Sequence, residues 1–554
     1  MSSIKPLSPV CWIVGLLLIG CSHEEKQQTF NGISNSINDA NTSAVWSDPA
    51  PMLPSVHELA ASEEYSPIRE NEFVPVAGPT AVSTFSIDVD TASYSNVRRL
   101  LRSGTLPPAD AVRIEELVNY FAYDYPQPKG RTPISVNMEV ADCPWNDKHQ
   151  LLRVALKGQE IKRSERPAAN LVFLLDVSGS MQAPDKLPLL KEAMKVLVGA
   201  LRDDDRVTIV TYAGDAGLVL DATPGGDPIK IRDAIDQLSA GGSTNGSAGI
   251  QLAYEKAIEN YVDDGVNRVI LATDGDLNVG VTRDQDLVEL IKEKAGRGVF
   301  LSVLGFGTGN LKDSKLEKLA DNGNGVYAYL DNLKEARRVL DQQSGGSLVT
   351  IAKDVKIQIE FNPAEVQAYR LLGYENRILA TEDFDDDAQD AGEIGAGHTV
   401  TAFYELAPPG DGAGAADGQR AAEKSRPLKY QQEFYVTKSE EASPNVKLTE
   451  AARRGELLTL SLRYKQPEAS ESRKLEFSLP AGTSRFDRVS RDFRFGASVA
   501  LFGMLLRHSP HAGSGSFTTV EQIAGGSLGQ DVDGYRREFL ELVRTAEGLS
   551  AHRD

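Results

Sequence analysis

The segment Asp176-Val177-Ser178-Gly179-Ser180 places one carboxylate and two hydroxyls at alternate positions of a short, glycine-containing turn. All three are hard oxygen donors of the kind a small divalent cation such as Mg²⁺ selects, with water completing an octahedron. Two further segments offer the same chemistry. Gly241-Gly242-Ser243-Thr244-Asn245 stands immediately before a helical pattern, and Ala272-Thr273-Asp274-Gly275-Asp276 continues directly from an apolar run. The first motif alone is weak, because any turn from strand to helix favours Asp, Ser and Gly. Its weight depends on all three segments leaving one edge of one sheet. Other chemistries find no comparable support. The seven histidines are scattered without an H-E-x-x-H, and His57-Glu58 lacks the second histidine. No G-x-S-x-G elbow follows a strand, since Gly525-Gly526-Ser527-Leu528-Gly529 comes after the helical pattern Thr519–Ala524, and there is no G-x-x-x-x-G-K phosphate loop. Gly305-Phe306-Gly307-Thr308-Gly309 departs from G-x-G-x-x-G and reads as a turn.

The elements that must position these segments are legible as a pattern. Short apolar runs, Leu171–Leu175, Val207–Thr211, Val269–Ala272, Phe300–Leu304 and Val326–Tyr329, alternate with amphipathic helical stretches. One such helix carries Leu190, Met194, Leu197 and Leu201 on a single face, with Pro188 near its start, where a missing N–H costs nothing. This alternation predicts an α/β fold with a doubly wound, mostly parallel sheet covered on both faces, and Gly217–Leu220 as an extra edge strand. In such a sheet the carboxyl ends of the strands form the ligand edge. Strand-like sequence lies on both sides of this unit: Thr84–Val89, Ile134–Ala141 and Leu151–Leu156 before it, then Val355–Phe361, Arg377–Ala380, His398–Leu406, Tyr430–Tyr435, Leu457–Tyr464 and Lys474–Ser478. The economical arrangement is one β-rich domain with the α/β unit inserted into it. Helical patterns cover Tyr94–Arg102, Ala111–Phe121, Phe493–Leu506, Thr519–Ala524 and Gly534–Thr545.

Over residues 169–345 the chain resembles the von Willebrand factor type A domain with its metal-ion-dependent adhesion site, a Rossmann-like fold. The family's D-x-S-x-S falls on Asp176, Ser178 and Ser180, its threonine on Thr244 and its second aspartate on Asp274. The resemblance implies that these five residues hold Mg²⁺, with Ca²⁺ or Mn²⁺ as alternatives. It also implies that an Asp or Glu of a partner protein completes the shell. Asp276 reads as a surface residue beside this set. The flanks, Phe85-Ser86-Ile87-Asp88-Val89-Asp90-Thr91-Ala92-Ser93-Tyr94 and Asp390-Ala391-Gly392-Glu393-Ile394-Gly395-Ala396-Gly397-His398, resemble the bacterial YfbK-type lipoproteins, extending the match over roughly residues 80–550.

The 554 residues suggest about three or four folded units at roughly 100–200 residues each. Residues 1–20, with Lys5 the only charge and an apolar run from Val10, read as a secretory signal. Leu18-Ile19-Gly20-Cys21 resembles a lipobox, which implies lipidation at Cys21; Ser22, by resemblance to Gram-negative lipoproteins, favours the outer membrane, facing the periplasm. Residues 21–79 read as a tether, 80–130 as a helical region, 131–168 and 346–480 as the two parts of the β-rich flank, and 481–554 as a helical region. Three cysteines, at 11, 21 and 143, provide no disulfide framework, and Cys143 reads as a small buried residue. Acidic residues outnumber basic ones, 79 to 59, for a net charge of −20, which opposes nucleic-acid binding. Asp383, Asp385, Asp386, Asp387 and Asp390 read as a solvated acidic loop, since the glycine and glutamate of an EF-hand are missing. Asp88 and Asp90 read as caps of the following helix. The expectation for the whole is a lipid-anchored binding module of the cell envelope, not an enzyme, with no small-molecule substrate. The alternatives are a scaffold whose metal site is structural and, less favoured, a metal-assisted hydrolase.

Overall fold

The computed structural model describes residues 63–214, 216–242, 246–275, 284–309, 311–344, 348–410, 427–432 and 447–552. The apolar runs between Ala169 and Leu330 form a six-stranded sheet. Its spatial order is Tyr327–Leu330, Val299–Phe306, Val266–Thr273, Ala169–Asp176, Arg206–Tyr212 and Ala216–Pro224. All neighbours are parallel except Ala216–Pro224, the antiparallel edge strand, which is longer than the expected 217–220 segment. Ala169–Asp176 is buried at every position. Its side chains alternate between two cores, Leu171, Phe173 and Leu175 on one face, Val172 and Leu174 on the other. The first face is covered by Leu187–Val198, Pro228–Asp236 and Leu333–Ser344, the second by Gly246–Glu259, Asp284–Gly296 and Asp313–Asn322. The strand order reverses between Ala169–Asp176 and Val266–Thr273, and such a switch point opens a crevice at the carboxyl ends.

Two antiparallel sheets make the frame. One runs Val74–Pro75, Ala368–Leu372, Thr399–Ala407, Gln150–Gly158, Ile134–Asp142; the other runs Ile394–Gly395, Thr350–Phe361, Glu456–Lys465, Ser472–Pro480, with Val82–Ser86 also paired to Thr350–Phe361. Chain from before and after the α/β unit shares both sheets, as in Leu156↔Val400 and Phe85↔Ile357. The α/β unit is therefore an insertion in a β sandwich. Phe85, Val154, Ile357, Phe361, Tyr404 and Leu460 fill the space between the sheets. Outside the first sheet, helices Arg491–Leu506, Phe517–Gly525, Tyr535–Ala551 and Ile114–Asn119 bury Leu117, Phe403, Phe493, Phe502 and Phe539.

Several expectations are corrected. Residues 63–79, assigned to the tether, are packed: Val74–Pro75 pairs with Ala368 and Tyr369, Val76 is buried, and Glu63 binds Arg99 at 2.7 Å. Polar composition concealed them because their contacts are ion pairs and a two-residue strand. Asp88 and Asp90 do not cap the helix Ala92–Arg102, whose N-cap, Thr91, makes no side-chain capping bond and accepts instead from Arg338 at 2.9 Å. Asp90 instead accepts from the Tyr327 backbone N–H at 2.8 Å, Asp88 accepts from the Asp90 N–H, and Arg377 faces both carboxylates. Arg377–Ala380 is not a strand. Tyr374 turns the chain with φ 60° and Arg377 points inward, leaving a single bridge, Phe85↔Ile378. The strand expected at Tyr430–Tyr435 reduces, among the described residues, to the bridge Gln431↔Leu448. Strand Ala368–Leu372 went unread because Arg370 interrupts its apolar pattern.

Candidate metal centre

Asp176 is the last residue of its strand and fully buried. Its Oδ1 accepts from the Ser178 backbone N–H at 2.9 Å, closing the turn, and its Oδ2 accepts from Tyr212 Oη at 3.1 Å and Thr273 Oγ1 at 3.3 Å. Burial pushes the Asp176 carboxyl above its ordinary range, and the nearby Asp274 adds to the push. The Ser178 and Ser180 hydroxyls lie 2.9 Å apart, Ser178 buried and Ser180 exposed. Parallel register aligns Leu175 with Ala272, which delivers Asp274 to the same edge as Asp176.

The second loop is tied to the first. The Gly179 N–H donates to Gly242 O at 3.1 Å and the Gly241 N–H to Val177 O at 2.8 Å. Gly242 takes φ +84°, a conformation that excludes most side chains. Thr244 and Asp276 lie outside the described residues, as does Cys21. The structure thus brings Asp176, Ser178, Ser180 and Asp274 to one sheet edge.

One group at this edge went unread in the sequence. Lys186, at the N-cap of helix Leu187–Val198, is buried and places Nζ 2.8 Å from Asp274 Oδ2. Its methylenes cross Gly307, where a Cβ would approach Lys186 Cε to 2.2 Å. A lysine ten positions past the aspartate gave no signal, since a surface lysine at a helix start is ordinary. Tyr212 and Thr273, which hold Asp176, were likewise read only as strand residues. The donor set suits a hard divalent ion: two carboxylates and two hydroxyls at a crevice, with Lys186 paired to one of the carboxylates.

The remaining acidic signals resolve differently. Asp385 and Asp387 pair with Arg463 at 2.9 and 3.1 Å on the surface, as a solvated loop would. Cys143 is buried and free, and burial raises its thiol pKa. A buried acidic group, Asp88, Glu116 and Glu317, brings its carboxylate oxygens within 4.8 Å of one another, but Arg113, Arg377, Ser93 N–H and Asn376 already occupy those oxygens.

Residues 170–342 match the family model for the von Willebrand factor type A domain, and residues 59–153 match a model described as von Willebrand factor. Residues 346–549 match the model described as "Uncharacterized protein YfbK, C-terminal". The chain is 42% identical to YfbK of Escherichia coli (strain K12) over 476 residues, covering 85% of this chain and 78% of that protein. The chain belongs to the YfbK family. It is also 29% identical over 180 residues to human inter-alpha-trypsin inhibitor heavy chain H3, covering 31% of this chain and 19% of that one. Among solved structures, a von Willebrand factor type A protein from Catenulispora acidiphila aligns with a TM-score of 0.40 at 15% identity, over 75% of this chain and 92% of that one. Domains of this type typically mediate protein–protein interaction and commonly bind a divalent metal.

Proposed function

We propose that this chain is a lipid-anchored envelope module that binds a partner protein through a divalent ion at the switch-point crevice. The observation that carries the reading is the convergence of Asp176, Ser178, Ser180 and Asp274 on one sheet edge, with Thr244 completing the set by family resemblance. The ion, Mg²⁺ or in its place Ca²⁺ or Mn²⁺, would supply a coordination position for an Asp or Glu of the partner. Asp176 and Asp274 balance its charge, and Tyr212 and Thr273 fix Asp176 so that little ordering entropy remains to be lost on binding. Cys21 would carry the lipid and hold the module on the outer membrane, facing the periplasm. The test is capture of partners from solubilised envelope by the soluble chain from residue 22, with Mg²⁺, with EDTA, and as Asp176→Ala, each checked for folding. Partners kept only with metal and intact Asp176 support the reading. The same partners in all three lanes would move the binding to the frame and make the metal structural.

A further inference from the structure

At the opposite edge of the central sheet a cavity of about 160 Å³ lies between the inserted unit and the frame. That is far above the roughly 10–15 Å³ one water needs. Arg268, near the start of strand Val266–Thr273, and Arg338, on helix Leu333–Ser344, enter it from the insert; Lys157 and His398 enter from the frame. No Asp or Glu lines it, in a protein of net charge −20.

The cations differ in how they are matched. Arg338 donates to Glu335 at 2.6 Å, and Lys157 Nζ donates to Gly397 O at 2.9 Å and lies 3.0 Å from the exposed Glu160 carboxylate. Arg268 is 5% exposed, yet among the described residues only its Nη1 is bonded, to Ser302 Oγ at 2.7 Å, and its Nε is buried without a partner there. The guanidinium lies 5.8 Å from the Phe300 ring centre and forms no ion pair among the described residues. The carboxyl that acts on it is Glu393, which burial pushes up to about 8. An unpaired buried guanidinium is costly, and proteins resolve that cost with a partner. His398 reports the same imbalance: burial, then Arg268, Lys157 and Arg338, lower it to about 4, and every one of those charges is positive.

We infer that this cavity binds a small oxyanion, carboxylate or phosphate, held by Arg268, Lys157 and His398, and that the anion joins the inserted unit to the frame. Arg268 offers its unpaired Nε–H on one side, while neutral His398 offers one ring N–H from the other. Because Arg268 comes from the insert and Lys157 and His398 from the frame, the bound anion stabilises the docked arrangement of the two. The site is independent of the metal edge.

The test uses the full chain in thermal melts against inorganic phosphate and, separately, malonate, with NaCl at matched ionic strength and pH as the control. A ligand that binds only the folded state raises the melting temperature in a saturable way. The expected result is a saturable rise with phosphate, malonate or both beyond that with chloride, and at least a tenfold weaker midpoint in Arg268→Gln. Phosphate alone identifies a phosphate-class ligand, and malonate alone a carboxylate-class one. The His398 ring, followed by NMR, should titrate at higher pH when the anion is present. Should Arg268→Gln fail to fold, His398→Ala and Lys157→Met carry the same comparison. Equal shifts in all three salts, or an unchanged midpoint in the variants, overturn the inference.

Discussion

At the scale of single residues, the metal edge turns on how Lys186 and two carboxylates share one space. The Lys186 ammonium 2.8 Å from Asp274 neutralises one of two buried acids in the metal-free chain. A divalent ion drawn to the same oxygens must take Asp274 from Lys186 or share it, so the lysine acts as a tethered competitor. Lys186→Met should destabilise the metal-free protein, by up to roughly 3–5 kcal/mol, because a buried acid loses its partner. It should also bind Mg²⁺ or Mn²⁺ at least tenfold more tightly, with a larger metal-induced rise in melting temperature. Calorimetric titration of both proteins decides. Weaker metal binding in the variant would make Lys186 a positioning group for Asp274 instead. Asp176→Asn separates this question from the metal site itself. Burial raises the Asp176 pKa, so its contribution to stability is present at low pH and lost as pH rises. The amide removes that penalty. Melts at pH 8 should show a metal-free variant as stable as the parent or more so, and no response to metal.

Elements impose the next constraint, since a helix must sit close enough to the sheet to hold the second loop against the first. Gly249 makes this approach possible: a Cβ there would lie 2.8 Å from Tyr212 Cβ and 3.1 Å from Leu174 Cδ1. Gly548, on helix Tyr535–Ala551, has nothing within 4 Å. Both substitutions to Ala gain about 0.8–1.0 kcal/mol of helix propensity. Gly548→Ala should show that gain in urea melts, whereas Gly249→Ala should show a net loss, because overpacking costs typically about 1–3 kcal/mol. Gly249→Ala should also weaken metal binding, since Tyr212 holds Asp176. The same distinction explains what could be read from the chain beforehand. Apolar runs alternating with amphipathic stretches announced the parallel sheet, and strand ends followed by Asp, Ser and Gly announced Asp176, Ser178, Ser180 and Asp274. Groups that act through long-range placement carried no local signal. Lys186 meets Asp274 across 88 positions, and Asp90 meets Tyr327 across 237. Residues 63–79 looked like a polar tether because their ordering depends on strands hundreds of positions away.

Across the whole molecule, the insert and the frame meet over a seam rich in buried charge. Asp313, Glu317 and Asp321 of the insert face Asp88, Asp90 and Glu116 of the frame, with Arg113 and Arg377 bridging them. Six carboxyls and two guanidiniums, most of them buried, cannot all be charged without cost. Burial accordingly raises Asp90, Glu317 and Asp321, holds Glu116 at about 7, and holds Glu115, whose Oε2 has no hydrogen-bond partner, at about 8. A carboxyl that binds its proton more tightly when folded adds stability below its unfolded pKa of about 4.5, and that addition is lost as pH rises through the folded value. Glu335, held near 2 by Arg338 and Arg98, works in the other direction only in strong acid. Stability should therefore fall between about pH 5 and pH 8 from the seam alone. Glu115→Gln replaces the protonated acid with a neutral amide of similar shape. It should leave stability at pH 5 nearly unchanged and raise it by about 1–3 kcal/mol at pH 8, flattening the profile. Urea melts of both proteins at the two pH values measure this, and a variant whose gain is equal at pH 5 and 8 would show that Glu115 acts through packing and not through its proton.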